Sequence, residues 1–389
     1  MTASITFLNF DLNRVPSPCF VVDEAVIEKN LQKLHYVQTQ SGAKVLAALK
    51  AFSFWQLGGL TGKYLSGTCA SGLHELLLGK EAYGGETHVF SAAYKANEMT
   101  EILSLADHVV FNSCGQWQRF QTEIKAAKAQ RPELKFGLRI NPEHSEGTTP
   151  IYDPCAPGSR LGIPLSELDE NNLEGISGLH FHTLCEQKFE PLARTVTAVE
   201  AKFGHLLGQM QWINFGGGHH ITADDYDVEG LITLIKNFAQ KYDVQVYIEP
   251  GEAVAIHSGV LVSEVLDITW NTLPQAILDT SATCHMPDTL EMPYRAHILD
   301  SGEANELEHT YRLGGMTCLA GDVMGDYSFA KPLVIGQRVA FDDMSHYTMV
   351  KTSTFNGIGL PALALWNSKT DELKLVKEFG YDDFKNRLS

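Results

Sequence analysis

Four short segments of this 389-residue chain hold residue types that could do chemistry together. Lys50 lies in LAALKAF, a mostly apolar setting. A solvated lysine is a poor nucleophile, whereas one held at a desolvated position has its pKa lowered and can form a Schiff base. Taken alone, such a lysine more often lays its stem along apolar surface and keeps its charge in water. Gly216, Gly217 and Gly218 in NFGGGHHIT could bring bare backbone N–H groups to a phosphate, or could simply make a tight turn. They are not a dinucleotide fingerprint, because GGGHHI lacks the G-x-G-x-x-G spacing. Glu249 in IEPGE supplies a carboxylate, and His180 and His182 alternate in LHFH. The expectation for this pair is that they face opposite sides of the run, one meeting the site and the other packing outside. The His219–His220 pair and His285 could be metal ligands, but adjacent histidines diverge on an extended chain and no carboxylate spacing supports them, so no metal is expected. A serine hydrolase would need a G-x-S-x-G elbow, and the chain has none.

The elements that must position these groups form a repeating pattern. Eight short β-rich runs alternate with helical periods: KVLAALK to Lys50, KYLSGTCAS to Ser71, THVFSA to Ala92, HVVFNS to Ser113, FGLRIN to Asn141, ISGLHFH to His182, QWINFGGG to Gly218 and VQVYIEPG to Gly251. Between the fourth and fifth, Trp117, Phe120, Ile124 and Ala127 recur at helical spacing, with Ser113 as a cap. Asp23 can cap a helix before the first run, with Ile27, Leu31 and Leu34 on its buried stripe. Eight strands alternating with helices over about 230 residues predict an α/β chain built on a (β/α)8 TIM-like barrel. The candidate residues then fall at the carboxyl ends of strands, where such barrels place their chemistry: Lys50 after the first, His182 after the sixth, the glycines after the seventh and Glu249 after the eighth. A carboxylate there could keep a pyridine nitrogen protonated and so make the ring an electron sink.

After Gly251 the runs AIHSGVLVSEVLDITW, LPQAILDTS, QRVAFDD and HYTMVKT lack helical periods and predict a C-terminal antiparallel β domain. The early SPCFVVDE is also strand-like and is expected to pair with that domain. The expected division is therefore residues 1–25 as an N-terminal strand of the β domain, 26–265 as the barrel and 266–389 as the β domain.

Composition excludes several classes. A formal charge of -17, without a block of like charge, argues against nucleic acid and suits a solvated acidic surface or a field that attracts cations. No stretch approaches 18 uninterrupted apolar residues and the start lacks a basic-then-apolar leader, so a cytoplasmic protein without a membrane span is expected. Seven scattered cysteines without a C-x-x-C pair predict neither a disulfide framework nor a structural zinc.

Lys50, His182, Gly216 to Gly218 and Glu249, followed by LGGMTC and TSTFNG, together resemble the alanine-racemase-like (fold type III) pyridoxal-phosphate-dependent decarboxylases. That group includes ornithine, diaminopimelate and carboxynorspermidine decarboxylases, and HFHTLCEQ, NFGGGHHIT and IEPGEA are most similar to its carboxynorspermidine (carboxyspermidine) branch. The resemblance implies pyridoxal 5'-phosphate as cofactor, held by Lys50 as an imine, with His182 stacked on the ring and Glu249 on the pyridine nitrogen. Gly216, Gly217, Gly218 and Tyr347 would bind the phosphate. Cys318 would come from the neighbouring subunit of a homodimer and protonate the substrate carbanion. Arg160 and Asp322 match positions of a cross-subunit ion pair.

The sequence departs from its relatives after the eighth strand, where ornithine and diaminopimelate decarboxylases read E-P-G-R and this chain has Glu252. Glu252, Asp288 and Asp322 become candidate substrate-binding acids. An anion in place of a cation would attract ammonium groups, which suits a carboxylated polyamine, though Asp288 could equally be a turn residue after proline. The expected reaction is decarboxylation of carboxynorspermidine or carboxyspermidine to norspermidine or spermidine. The alternatives are a diaminopimelate, ornithine or arginine decarboxylase of the same fold, or a catalytically silent cofactor-binding regulatory protein.

Overall fold

Every one of the eight runs forms a strand, each stopping one to four residues before its expected end. The structure is a computed structural model that describes residues 5–389; the first four residues of the expected N-terminal segment lie outside the described residues. In chain order β1 (Cys19–Asp23) precedes the barrel strands β2 (Lys44–Ala48), β3 (Gly67–Ala70), β4 (Glu86–Phe90), β5 (His108–Phe111), β6 (Lys135–Arg139), β7 (Gly178–His180), β8 (Trp212–Asn214) and β9 (Gln245–Ile248). The chain divides into two compact units, Glu28–Val254 and a second made of Met1–Ile27 with Ala255–Ser389.

In the first unit β2 to β9 run parallel and close on themselves, with Lys44 opposite Tyr247 and Val45 opposite Ile248. The interior is filled by Leu46, Val110, Trp212 and Tyr247. Trp212 fits because two neighbouring strands carry glycine: a Cβ on Gly178 would stand 2.1 Å from the indole and one on Gly137 2.4 Å from it. The indole Nε1 donates to Ser177 Oγ at 3.1 Å, which satisfies its buried polar atom. Outside the barrel, Ser113 Oγ accepts from Gln116 N at 3.1 Å and starts the helix Cys114–Arg119, which a second, Gln121–Gln130, continues; Trp117, Phe120 and Ile124 are buried as the spacing predicts. The helix Glu24–Ser41 begins beside Asp23, whose Oδ1 accepts from Ala25 N at 3.0 Å.

The second unit adds β10 (Gly259–Asn271), β11 (Leu273–Leu278), β12 (His309–Gly314), β13 (Val323–Phe329), β14 (Arg338–Asp342), β15 (Ala362–Asn367) and β16 (Glu372–Lys377). The sheet order is β13-β12-β11-β10-β1-β15-β16, with β14 also on β10. β1 lies antiparallel to β10 and parallel to β15, so SPCFVVDE does pair with the C-terminal sheet. That pairing and the parallel β11–β12 ladder make the sheet mostly rather than wholly antiparallel. Residue 265, the expected end of the barrel segment, falls inside β10, because one continuous ladder runs from Gly259. HYTMVKT is not a strand. Tyr347 takes a left-handed φ of 43° and its carbonyl accepts from Val350 N and Lys351 N, both at 3.1 Å, curling the segment into a 3-10 turn at Met349–Lys351. β12, β13, β15 and β16 were not among the expected runs.

Candidate active site

Backbone pairing beyond the strand ends gathers the expected residues at one mouth of the barrel. Ala48 N donates to Pro250 O at 2.9 Å and Leu49 N to Cys69 O at 3.1 Å, so the turn carrying Lys50 lies against the end of β9. A Cβ on Gly251 would stand 2.7 Å from Ala51 Cβ, which leaves only glycine room there. Glu249 N donates to Gly216 O at 2.7 Å and ties the same strand end to the glycine loop. Lys50 itself is exposed, two residues past β2, so the desolvation expected of it is not supplied by the chain alone; the strand ends at Ala48 and the turn lifts the side chain out. Its charge still acts on Cys69, His180 and His182 across the mouth.

Glu249 is held from two sides. Asn214 Nδ2 donates to Oε1 at 2.7 Å, and His180 Nε2 lies 3.4 Å from Oε2. Burial works against the charge, but the attraction of His180 and the bonds to the carboxylate prevail and hold the carboxyl well below its usual range. Asn214 also accepts from Gly216 N at 2.8 Å through Oδ1, so one amide side chain fixes both the carboxylate and the loop.

His180 and His182 do not face opposite sides. Side chains two apart on a strand share a face, and here Phe181 between them points outward to stack on Phe215 at 5.2 Å. His182 Nδ1 accepts from Gly217 N at 3.1 Å. Burial, then the positive charges of Lys50 and Arg139, push its pKa well below the ordinary value, so the ring is neutral at pH 7. Two glycine amides are therefore engaged within the chain, Gly216 to Asn214 and Gly217 to His182, rather than held out for a phosphate as expected. The loop needs glycine for its own packing: Gly216 and Gly218 have φ of 68° and 85°, and a Cβ on Gly217 would stand 2.0 Å from Glu249 O.

Three further residues at this mouth went unnoticed in the sequence. Arg139, buried at the end of β6, donates to His182 O at 3.1 Å and lies 4.6 Å over the Phe90 ring; burial lowers its pKa to about 10. Cys69, at the end of β3, has its thiol pKa pushed well up by burial and by Glu249. The third is Asn214. Arg139 and Asn214 were legible by the rule that singled out Lys50, since each is a polar residue closing an apolar strand run.

The remaining candidates behave differently. Glu252 opens the short helix Glu252–Ala255 and pairs with His220, whose Nε2 lies 3.2 Å from Oε1. Asp288 follows Pro287 as the first residue of a helical turn and is ion-paired with Lys351, which also reaches Glu291 at 2.9 Å. Neither is a bare anion, since each carboxylate already has a partner within its own unit. Asp322 is buried, and its carboxylate accepts from Ser281, Thr283 and Thr317 of its own chain, a role that fits neither a substrate contact nor an ion pair offered to a partner. Arg160 is exposed, Cys318 is exposed at the tip of the loop between β12 and β13, and Tyr347 is half-buried.

His219 Nδ1 meets Tyr226 OH at 2.6 Å, and burial lowers its pKa to about 3. His285 accepts from Ser281 N through Nδ1 at 3.2 Å and donates through Nε2 to Gly359 O at 3.0 Å, which fixes a neutral tautomer. Glu86, His88 and His108 come within 4.8 Å of one another at the amino-terminal floor of the barrel. Lys44 is already ion-paired with Glu86 and Tyr247 OH donates to it at 3.0 Å, so both carboxylate oxygens have partners within the chain.

A barrel with these strand ends and a separate sheet defines a class, and comparison with known proteins states it: residues 19–345 match the family described as "Pyridoxal-dependent decarboxylase, C-terminal sheet domain". The chain belongs to the pyridoxal-dependent decarboxylases, enzymes that use pyridoxal 5'-phosphate to remove a carboxylate. Within the family it is 46% identical, over 96% of its length and 99% of the relative's, to a carboxynorspermidine/carboxyspermidine decarboxylase of Campylobacter jejuni. It is 41% identical, over 97% of its length and 96% of the relative's, to a carboxyaminopropylagmatine decarboxylase of Synechocystis. A crystal structure of Campylobacter jejuni carboxynorspermidine decarboxylase complexed with norspermidine superposes with a TM-score of 0.87 at 44% identity, covering 96% of this chain and all of that one.

Proposed function

We propose that this chain decarboxylates carboxynorspermidine or carboxyspermidine to norspermidine or spermidine, in polyamine biosynthesis in the cytoplasm, as a homodimer with shared active sites. The carrying observation is the half-buried Glu249 carboxylate, oriented by Asn214 beside His180, in the mouth that also holds Lys50, His182 and the glycine loop. These groups fit the family cofactor by their chemistry: an ionised carboxylate for a pyridine nitrogen, a neutral imidazole for a ring face, and an exposed amine for an aldehyde. When bound, pyridoxal phosphate supplies an electron sink for the bond that breaks.

In this reading Lys50 Nζ would hold the cofactor through its aldehyde carbon, at the place where the substrate α-amine would be received. His182 would lie on the ring face, kept uncharged by burial and by the charges of Lys50 and Arg139 so that it adds no positive charge there, and held in place by the Gly217 amide at Nδ1. Glu249 keeps the proton on the pyridine nitrogen. The Gly218 amide and Tyr347 bind the phosphate, while Gly216 and Gly217 shape the loop. Once carbon dioxide has left, Sγ of Cys318 of the partner subunit would give its proton to Cα, where the carboxylate was bonded. Glu252 and Asp288 meet the substrate's ammonium groups in exchange for His220 and Lys351. The unit Glu28–Val254 would carry the cofactor, and the unit made of residues 1–27 with 255–389 would present Cys318. The 46% identical relative named for this reaction supports the substrate assignment. The 41% identical relative named for a guanidine-bearing substrate gives a second reading with the same chemistry.

Carbon dioxide release from a panel of carboxynorspermidine, carboxyspermidine, carboxyaminopropylagmatine, diaminopimelate, ornithine and arginine ranks the substrates by kcat/KM, and preference for any of the last three overturns the proposal. Lys50→Ala should abolish both turnover and the cofactor band near roughly 420 nm; retention of both would remove Lys50 from the site.

A further inference from the structure

We propose that Asp322 is the positioning residue for Cys318, fastening the β12–β13 loop to the sheet within one subunit so that the thiol is presented at a fixed place. This rests on the reading of Cys318 as proton donor.

The loop Gly315–Asp322 has an exposed tip, with Met316, Cys318, Leu319, Ala320 and Gly321 in solvent, above a single buried carboxylate. Asp322 is 4% exposed and accepts from four donor groups. Oδ2 takes Thr317 Oγ1 at 2.7 Å and Thr317 N at 3.2 Å, which grips the residue next to Cys318. Ser281 Oγ donates to both oxygens at 2.9 and 3.0 Å, and Thr283 N reaches Oδ1 at 3.2 Å, anchoring the grip to the segment after β11. The backbone closes the same loop: Gly315 N donates to Asp322 O and Asp322 N to Leu319 O, both at 2.9 Å. A Cβ on Gly315 would stand 2.4 Å from Oδ2, so only glycine lets the carboxylate in.

Cys318 is held from its other side as well. Its N–H donates to Asn356 Oδ1 at 2.8 Å, and Asn356 adopts the left-handed φ of 58° that asparagine tolerates. Loops at the tips of hairpins open easily unless tied down, and a misplacement of a reacting group by about 1 Å can cost about 100-fold in rate. A buried acid whose acceptors all go to its own loop and to the segment after β11 therefore sets where the proton is delivered from, while touching neither substrate nor cofactor.

Asp322→Asn in the holoenzyme keeps the shape but turns one acceptor into a donor facing donors. The expected result is a kcat lower by about tenfold or more with KM nearly unchanged, and alkylation of Cys318 by iodoacetamide, followed by peptide mass spectrometry, about threefold faster or more. Thr317→Val should give a milder version that Thr317→Ser rescues, which guards against a variant that fails to fold. Asn356→Gly keeps the backbone conformation, removes the acceptor and should act in the same direction. A raised KM with unchanged kcat would make Asp322 a substrate contact. Dissociation of the dimer at an unchanged alkylation rate would make it an intersubunit pair; either result overturns the proposal, as does no change at all. Full turnover by Cys318→Ala would instead defeat the proton-donor reading, and the alkylation rates would still report on Asp322.

Discussion

The two ends of the barrel both carry polar clusters, and they differ in whether the cluster is finished. At the floor, Glu86 is ion-paired with Lys44, accepts from Tyr247 and lies 3.2 Å from His88, whose ring stacks on His108 at 3.9 Å with Trp212 beyond. The chain itself supplies the partners of the charge there. At the mouth, Glu249 is oriented by a neutral amide and by an imidazole whose pKa burial depresses, while the cation Lys50 stands exposed across the opening. The floor spends its charge on stability and the mouth keeps a carboxylate oriented for something else, in keeping with the rule that barrels place chemistry at the carboxyl ends of their strands.

The sharpest way to break this contrast is to neutralise each carboxylate in turn. Glu249→Gln should lower kcat by about 100-fold or more, because an oriented charge at the reacting system is lost, and leave thermal unfolding nearly unchanged. A variant with normal turnover would show that the mouth carboxylate is as structural as the floor one. Glu86→Gln should do the reverse. With its ammonium partner left without a carboxylate in a partly exposed site, it should cost about 1–2 kcal/mol in denaturant unfolding and leave kcat within about twofold. Lost turnover at unchanged stability would move function to the floor.

The smallest effect tests the floor through pH. Burial, then the neighbouring His88, keep the His108 pKa far below its usual value, so the folded ring is uncharged while the unfolded chain takes up a proton below about 6.5. Its stabilising contribution is therefore complete above about pH 6.5 and is lost as pH falls below it. His108→Phe keeps an aromatic ring against Trp212 and removes that titration. The native chain should lose about 1 kcal/mol more than this variant between pH 7 and 5.5 in urea unfolding. Parallel pH curves would mean that His108 is not buried neutral.

Much of this contrast could be read before the structure. Lys50, His182, the three glycines and Glu249 all close apolar runs, and the alternation of runs with helical stripes places them at one end of a barrel. His108 opens HVVFNS and Glu86 stands just before THVFSA, yet the floor is not legible in the sequence, because residues at the start of a run carry no conspicuous motif. The expectation that the two histidines of LHFH face opposite sides fails because period two puts them together, and the outward stack of Phe181 on Phe215 shows the register. HYTMVKT has strand composition but curls, because a left-handed residue at Tyr347 ends extension whatever the side chains prefer.

By itself, then, the sequence determined the barrel, the second sheet and the residues at the strand ends, because periodicity and chain direction are local properties that the pleat converts into position. Tertiary structure alone decided which of those residues are already spoken for. Asn214 bridging Glu249 to the glycine loop, Lys351 on Asp288, His220 on Glu252 and Thr317 on Asp322 are pairings across 5 to 63 positions of chain. A carboxylate's partners depend on which loops the fold brings within about 3 Å, and no spacing along the chain encodes that distance.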